Sequence, residues 1–175
     1  MPCIHVPAGE PWLRLHHDGE LRAEQRQALQ DALLLGTGTG TAAPRVAETL
    51  EKLSRAVELL EGDAALPRLQ PLFVTVDPER DDVAAVARYV RDFHPRLLGL
   101  TGSPEQVRAA GGAYRVYARA GPKDEDGDYI VDHTVVIYLL GPDGLFLDYY
   151  GRSKTPAQIA DSVRRHMQTY EPLPD

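Results

Sequence analysis

A chain of 175 residues has the length of one domain with little to spare. Apolar residues make up 43%, enough for a sizeable core, while 19 basic against 26 acidic residues leave a net charge of −7 that repels phosphate backbones and argues against a nucleic-acid partner. A single cysteine, Cys3, excludes an internal disulfide, an intrachain Cys-x-x-Cys pair and a Cys-rich zinc site.

Residues 1–32 carry Pro2, Pro7 and Pro11 and the histidines His5, His16 and His17 without a firm period, and are expected to be poorly ordered. They also hold Glu10, Asp18, Glu20 and Glu24 and no apolar h-region, so no secretory or transit peptide is expected in this chain. The uncharged stretch His133 to Pro142 is far short of the roughly 18–20 apolar residues of a membrane helix. Leu33–Leu35 predicts a strand running into the turn Gly36-Thr-Gly38-Thr-Gly40-Thr41. Val46, Leu50, Leu53, Val57 and Leu60 then fall on one face of a helix, with Pro44 before the stripe and Gly62 placed to end it.

Leu72–Val76 reads as a buried strand bounded by Pro71 and Asp77-Pro78, and Asp81 is expected to cap a helix carrying Val83, Val86 and Val90 that stops at His94-Pro95. Leu97–Leu100 is a second short strand. Ser103-Pro-Glu-Gln106 is a capping box for a helix expected to end at Gly111-Gly112, and Arg115–Tyr117 is expected to be extended. Thr134–Leu140 is the strongest strand, turned by Gly141-Pro-Asp-Gly144 into a hairpin with Leu145–Tyr149. Thr155-Pro-Ala-Gln158 opens a last helix lined by Ile159, Val163, Met167 and Tyr170. The order β-α-β-α-β-α, then a loop, then β-β-α predicts an α/β domain over 33–171, a thioredoxin-like fold with a central mixed sheet flanked by helices, followed by a tail at 172–175.

Several constellations carry possible chemistry. Gly38-x-Gly40-x-x-Ala43 lies between strand and helix, where a dinucleotide could sit with Asp77 as its ribose acid, although Asp77 lies further along than the usual spacing of about 20 residues; a plain flexible turn is the competing reading. Asp124, Asp126 and Asp128 have the 1-3-5 spacing of a calcium loop, yet Tyr129 and Val135 stand where Gly and Glu are required. That leaves a solvated loop or a docking surface for a positively charged partner. His133, beside Asp132 at the mouth of a buried strand, could be a metal ligand, a base or a core residue. Cys3, His5, His16 and His17 fit no zinc spacing, and favourable dipole contacts at helix ends explain His94 and His166.

Four motifs in order, Val76-Asp-Pro-Glu-Arg-Asp81, Gly121-Pro-Lys-Asp-Glu-Asp126, Asp128-Tyr-Ile-Val-Asp-His133 and Gly141-Pro-Asp-Gly144, resemble the Sco (SenC) family of copper chaperones. Phe93–Gly102 and Asp148–Arg152 are similar to the second of its two vertebrate mitochondrial paralogues. The motifs run from about Leu69 to Tyr170, and weakly back to Leu50–Leu53. The resemblance implies a thioredoxin-like domain on the intermembrane-space side of the mitochondrial inner membrane, held by one membrane anchor. It implies delivery of copper to the copper-receiving subunit of cytochrome c oxidase, together with other assembly factors and thiol-disulfide work. Family members hold copper through a Cys-x-x-x-Cys pair at the start of the first helix and the histidine of the Asp-His pair, which suits Cu(I) because thiolates are soft donors.

His133 matches that histidine, so it is the expected metal residue. Carried back through Leu50–Leu53, the two cysteine positions fall on Ala42 and Val46. Neither side chain can ligate copper or form a disulfide, so impaired copper binding and no dithiol enzyme activity are expected. The anchor and presequence that the resemblance implies are not expected in this chain, and residues 1 to about 47 are expected to come from an altered reading frame, an alternative exon or a faulty gene model joined to the domain. The alternatives are a metal-free thioredoxin-like adaptor that occupies the oxidase subunit through the Lys123–Asp128 loop, and a nucleotide-binding module.

Overall fold

The computed structural model describes residues 4–5, 30–36, 43–142 and 146–171. In chain order these form strands β1 (Ile4–His5) and β2 (Gln30–Gly36), helix α1 (Ala43–Glu61), β3 (Leu69–Thr75), α2 (Val83–Val90), β4 (Leu98–Thr101), α3 (Pro104–Ala113), β5 (Ala118–Ala120), β6 (Val131–His133), β7 (Val136–Leu140), β8 (Phe146–Tyr150) and α4 (Pro156–Thr169). One six-stranded sheet runs in the order β1-β4-β3-β2-β7-β8, and β5 and β6 make a separate two-stranded ribbon. β1 to β4 are mutually parallel and β7 and β8 antiparallel, giving the mixed sheet of the expected α/β class. Of the expected division at 32 and 172, the outer pieces lie largely outside the described residues.

Alternation along the strands sorts the core onto the two faces of the sheet. On β3 Phe73 faces one way and Leu72 and Val74 the other; on β7 Ile137 and Leu139 oppose Val136 and Leu140. The Phe73 face receives the whole α1 stripe, Val46, Leu50, Leu53, Val57 and Leu60, with Val86 and Val90 of α2 and Ile159 and Val163 of α4. The opposite face is closed by Val116 and Tyr114 from the segment after α3.

Local signals place most ends, and tertiary contacts move the rest. Both capping boxes form, Ser103 with Gln106 and Thr155 with Gln158. The cap of α2 is Asp82 rather than Asp81: the Asp82 carboxylate accepts the Ala85 N–H at 2.7 Å. Asp81 is instead fully buried, accepting the Thr75 hydroxyl. α3 runs through Gly111-Gly112 to Ala113. The returning Val116 N–H bonds to Gly111 O at 2.8 Å, and a Cβ on Gly111 would stand 2.9 Å from Val116 O, so glycine permits the close return without ending the helix. Arg115 then takes a left-handed φ of 53°, which displaces the extended segment from the expected 115–117 to β5 at 118–120. Gly144 and its neighbours in the β7–β8 turn lie outside the described residues, whereas the hairpin itself pairs Ile137 with Tyr150 and carries a bulge beside Leu140.

Candidate functional site

The carboxyl ends of parallel strands are where open α/β sheets gather ligands. Here Gly36, Thr75 and Thr101 end β2, β3 and β4 on one edge. Antiparallel β7 starts on that same edge, because Val136 pairs with Leu35. The chain therefore leaves β2 for α1 from the edge at which the β6–β7 connection arrives, with His133 at the end of β6.

The best-built part of this edge is a clamp that joins the loop after β3 to the loop before β6. The Tyr129 hydroxyl donates to Asp77 Oδ1 at 2.8 Å, and Arg80 Nε donates to Asp77 Oδ2 at 2.6 Å. Arg80 Nη1 reaches Asp128 Oδ1 at 2.6 Å and Tyr129 O at 2.8 Å, and the guanidinium lies 4.1 Å from the centre of the Tyr129 ring. Asp77 is buried and is held from behind by its own N–H, which donates to Thr75 Oγ1 at 3.0 Å. Burial works against the charged guanidinium, and the bond and charge of Asp77 outweigh it, so the Arg80 pKa is raised. Burial, followed by the Asp77 bond and charge, pushes the Tyr129 phenol up to about 12. A cavity of about 350 Å³ opens beside the clamp, walled by Val76, Val107 and Val131 together with the charged Glu79, Arg108 and Lys123.

This clamp reassigns two sequence-level candidates. Asp77 has both oxygens engaged inside the protein, so it is not placed as a ribose acid, and Gly38 and Gly40 of the turn lie outside the described residues. The 124–128 loop closes on itself: Asp124 Oδ1 accepts the N–H groups of Asp126 at 3.1 Å and Asp128 at 2.8 Å, while Asp128 is spent on Arg80. Those bonds account for Asp124 as a turn device and for Asp128 as the partner of Arg80. In the sequence Arg80 and Tyr129 belong to separate motifs. They are 49 residues apart, and no local spacing announces that they meet.

His133 is half-buried, its Nδ1 3.2 Å from Thr134 O. An Nδ1–H donated to that carbonyl puts the imidazole lone pair on Nε2, the tautomer that many metal-binding histidines adopt. Val46 has no exposed surface and packs in the core of the Phe73 face; Ala42 lies outside the described residues. An isopropyl group offers a metal nothing, so the residue present at this position does not fit a thiolate site. Among the described residues no three His, Cys, Asp or Glu side chains are grouped to hold a metal ion. Cys3, His16 and His17, and the side chain of His5, lie outside the described residues. His94 is not at a helix end: it is buried four residues past α2, its Nδ1 accepting the Arg96 N–H at 3.1 Å. His166 does lie in the last turn of α4, with Nε2 3.2 Å from Asp148 Oδ2.

Comparison with known proteins bears directly on this edge. Residues 10–168 match the SCO1/SenC family. The likeness therefore reaches well upstream of Leu50, where the motifs alone stop, and covers most of the segment expected to be foreign. The chain is 58% identical over 156 residues to "Protein SCO2 homolog, mitochondrial" of Danio rerio, covering 89% of this chain and 56% of that protein. It is 67% identical over 123 residues to the Homo sapiens SCO2 homologue, covering 70% and 46%, and 46% identical over 162 residues to the human SCO1 homologue, covering 93% and 54%. The chain thus spans about half the length of the curated relatives it matches. Among solved structures, copper-bound ScoI of Arabidopsis thaliana superposes with a TM-score of 0.74 at 34% identity, covering 84% of this chain and 89% of that one. Copper-bound yeast Sco1 gives 0.75 at 34%, covering 85% and 81%. The fold is the expected thioredoxin-like one, and the SCO2 homologues are more similar in sequence than the SCO1 homologue. The chain belongs to the SCO1/SenC family.

Proposed function

We propose that this chain is a Sco-type assembly factor for the cytochrome c oxidase copper centre, working on the intermembrane-space side of the mitochondrial inner membrane, with its own hold on copper impaired. Copper is the cargo, and His133 is the residue that meets it. The observation that carries this reading is the register of β2 and β7: Leu35 opposite Val136 brings the His133 segment to the edge where α1 begins. The mitochondrial names of the relatives and the copper-bound structures of the plant and yeast proteins support the same role. One imidazole without sulfur is a weak, unselective site for a soft ion. No transfer step through copper, and no disulfide exchange, follows from the residues at 42 and 46.

A metal-free adaptor is the second reading, favoured by the self-closed 124–128 loop, which Arg80 holds through Asp128. Both are tested on the full chain. Competition against a Cu(I) chelator should show no site tighter than roughly micromolar, and what binding there is should fall in His133→Ala. Stoichiometric tight binding by the native chain would overturn the impairment. Capture of the oxidase copper subunit by the copper-free chain, lost when Asp124 and Asp126 are replaced by Asn, would decide for the adaptor.

A further inference from the structure

β6 is a strand with little support of its own. Among the described residues its strand partner is β5, three residues on each side: Ala118 with His133, Arg119 with Asp132 and Ala120 with Val131. Every residue of β5 is exposed, and only Val131 of β6 is buried. An isolated two-stranded ribbon is marginal in water. Besides the buried Val131 and the flanking bonds from Gly121 N–H to Ile130 O and from Thr134 N–H to Tyr117 O, what fixes its position lies at its ends.

Two anchors do this. After the ribbon, β7 enters the main sheet with Val136 paired to Leu35. Before it, the Arg80 guanidinium grips Asp128, the Tyr129 carbonyl and the Tyr129 ring, and ties all three to Asp77 at the end of β3. At about 3.3 Å per extended residue, His133 hangs roughly 13 Å along the chain from that grip. The guanidinium is matched by two carboxylates, so it orders the segment without adding net positive charge to an edge that meets a cation. Lysine would substitute only in part, because a single ammonium cannot span Asp77, Asp128 and a carbonyl while stacking on the ring.

We propose that Arg80 is a positioning residue for His133: by clamping Asp128 and Tyr129 onto Asp77 it sets where the β6 strand presents its imidazole. This rests on His133 as the imidazole of the site. A merely structural role would cost stability everywhere alike; a positioning role is specific to the ribbon.

The experiment is nuclear magnetic resonance on the full chain, following the His133 ring nitrogens and amide exchange in native protein, Arg80→Met and Arg80→Lys. In folded Arg80→Met the His133 ring signals should shift. The Thr134 N–H, which donates to Tyr117 O at 3.3 Å, should exchange at least about tenfold faster while α1 amides keep their protection. Arg80→Lys should give only partial recovery. Unchanged His133 signals, or equal loss of protection in α1 and the ribbon, would overturn the proposal. If Arg80→Met does not fold, Asp128→Asn loosens the loop side of the clamp at an exposed carboxylate and should give the same signature, smaller; its absence there would overturn the proposal equally. Copper affinity enters none of these readouts, so failure of this test leaves the His133→Ala titration intact, and the reverse.

Discussion

Tyr129→Phe removes a single oxygen from the clamp and leaves the ring over Arg80. Asp77 Oδ1 then loses its donor at 2.8 Å, in a carboxylate whose side chain is only 6% exposed. A hydrogen bond to a charged group is worth about 1.5–3 kcal/mol. Arg80 still holds Oδ2, which places the expected loss near the middle, about 2 kcal/mol. At roughly 2–4 °C per kcal/mol for a chain of this size, the melting temperature should drop by about 4–8 °C. The phenol pKa adds a second signature. Because burial and Asp77 raise it to about 12 in the folded chain, its contribution is fully present below the ordinary value of 10.0 and fades as pH climbs from there through 12. Native protein should therefore lose stability relative to Tyr129→Phe only above about pH 10. Urea unfolding followed by circular dichroism at pH 7, 9 and 11 measures both effects. A penalty below about 0.5 kcal/mol at pH 7, or a difference that stays flat through pH 11, would refute the clamp as described.

Gly99→Ala should destabilise by about 1–3 kcal/mol or more, since its Cβ would stand 2.3 Å from Val86 Cγ1; adding Val86→Ala should recover part of the loss, which a thermal double-mutant cycle reads directly. Burial lowers the His94 pKa against the opposing pull of Glu61, so the folded chain takes up a proton less readily than the unfolded one. Stability is then complete above about pH 6.5 and declines as the solution is acidified below it, and His94→Asn, which keeps an acceptor for the Arg96 N–H, should flatten that decline in unfolding curves between pH 7 and 5. Ala42→Cys with Val46→Cys should create Cu(I) binding where the native chain has little, measured by chelator competition, because two thiolates at a helix start supply the missing soft donors.

Legible in the sequence are signals that act over one or two turns: the α1 stripe, the two capping boxes, and the β-branched run of β7. What was not legible depended on partners far along the chain. Asp81 and Asp82 are equally good caps by residue type, and the Thr75 and Thr101 hydroxyls and the Asp77 carbonyl hold Asp81 inside. β5 moved because Arg115 turns left-handed to bury Val116. At the site, His133 stood out through its motif, whereas the guanidinium that orders its strand is 48 residues from Asp128 and became visible only once the two loops met.

The most direct measurement is Cu(I) competition on Ala42→Cys/Val46→Cys with and without His133→Ala. If His133 is what remains of the family's copper site, the double variant takes up one Cu(I) per chain and the triple variant binds it markedly more weakly. Equal affinity in the two variants would remove His133 from the site.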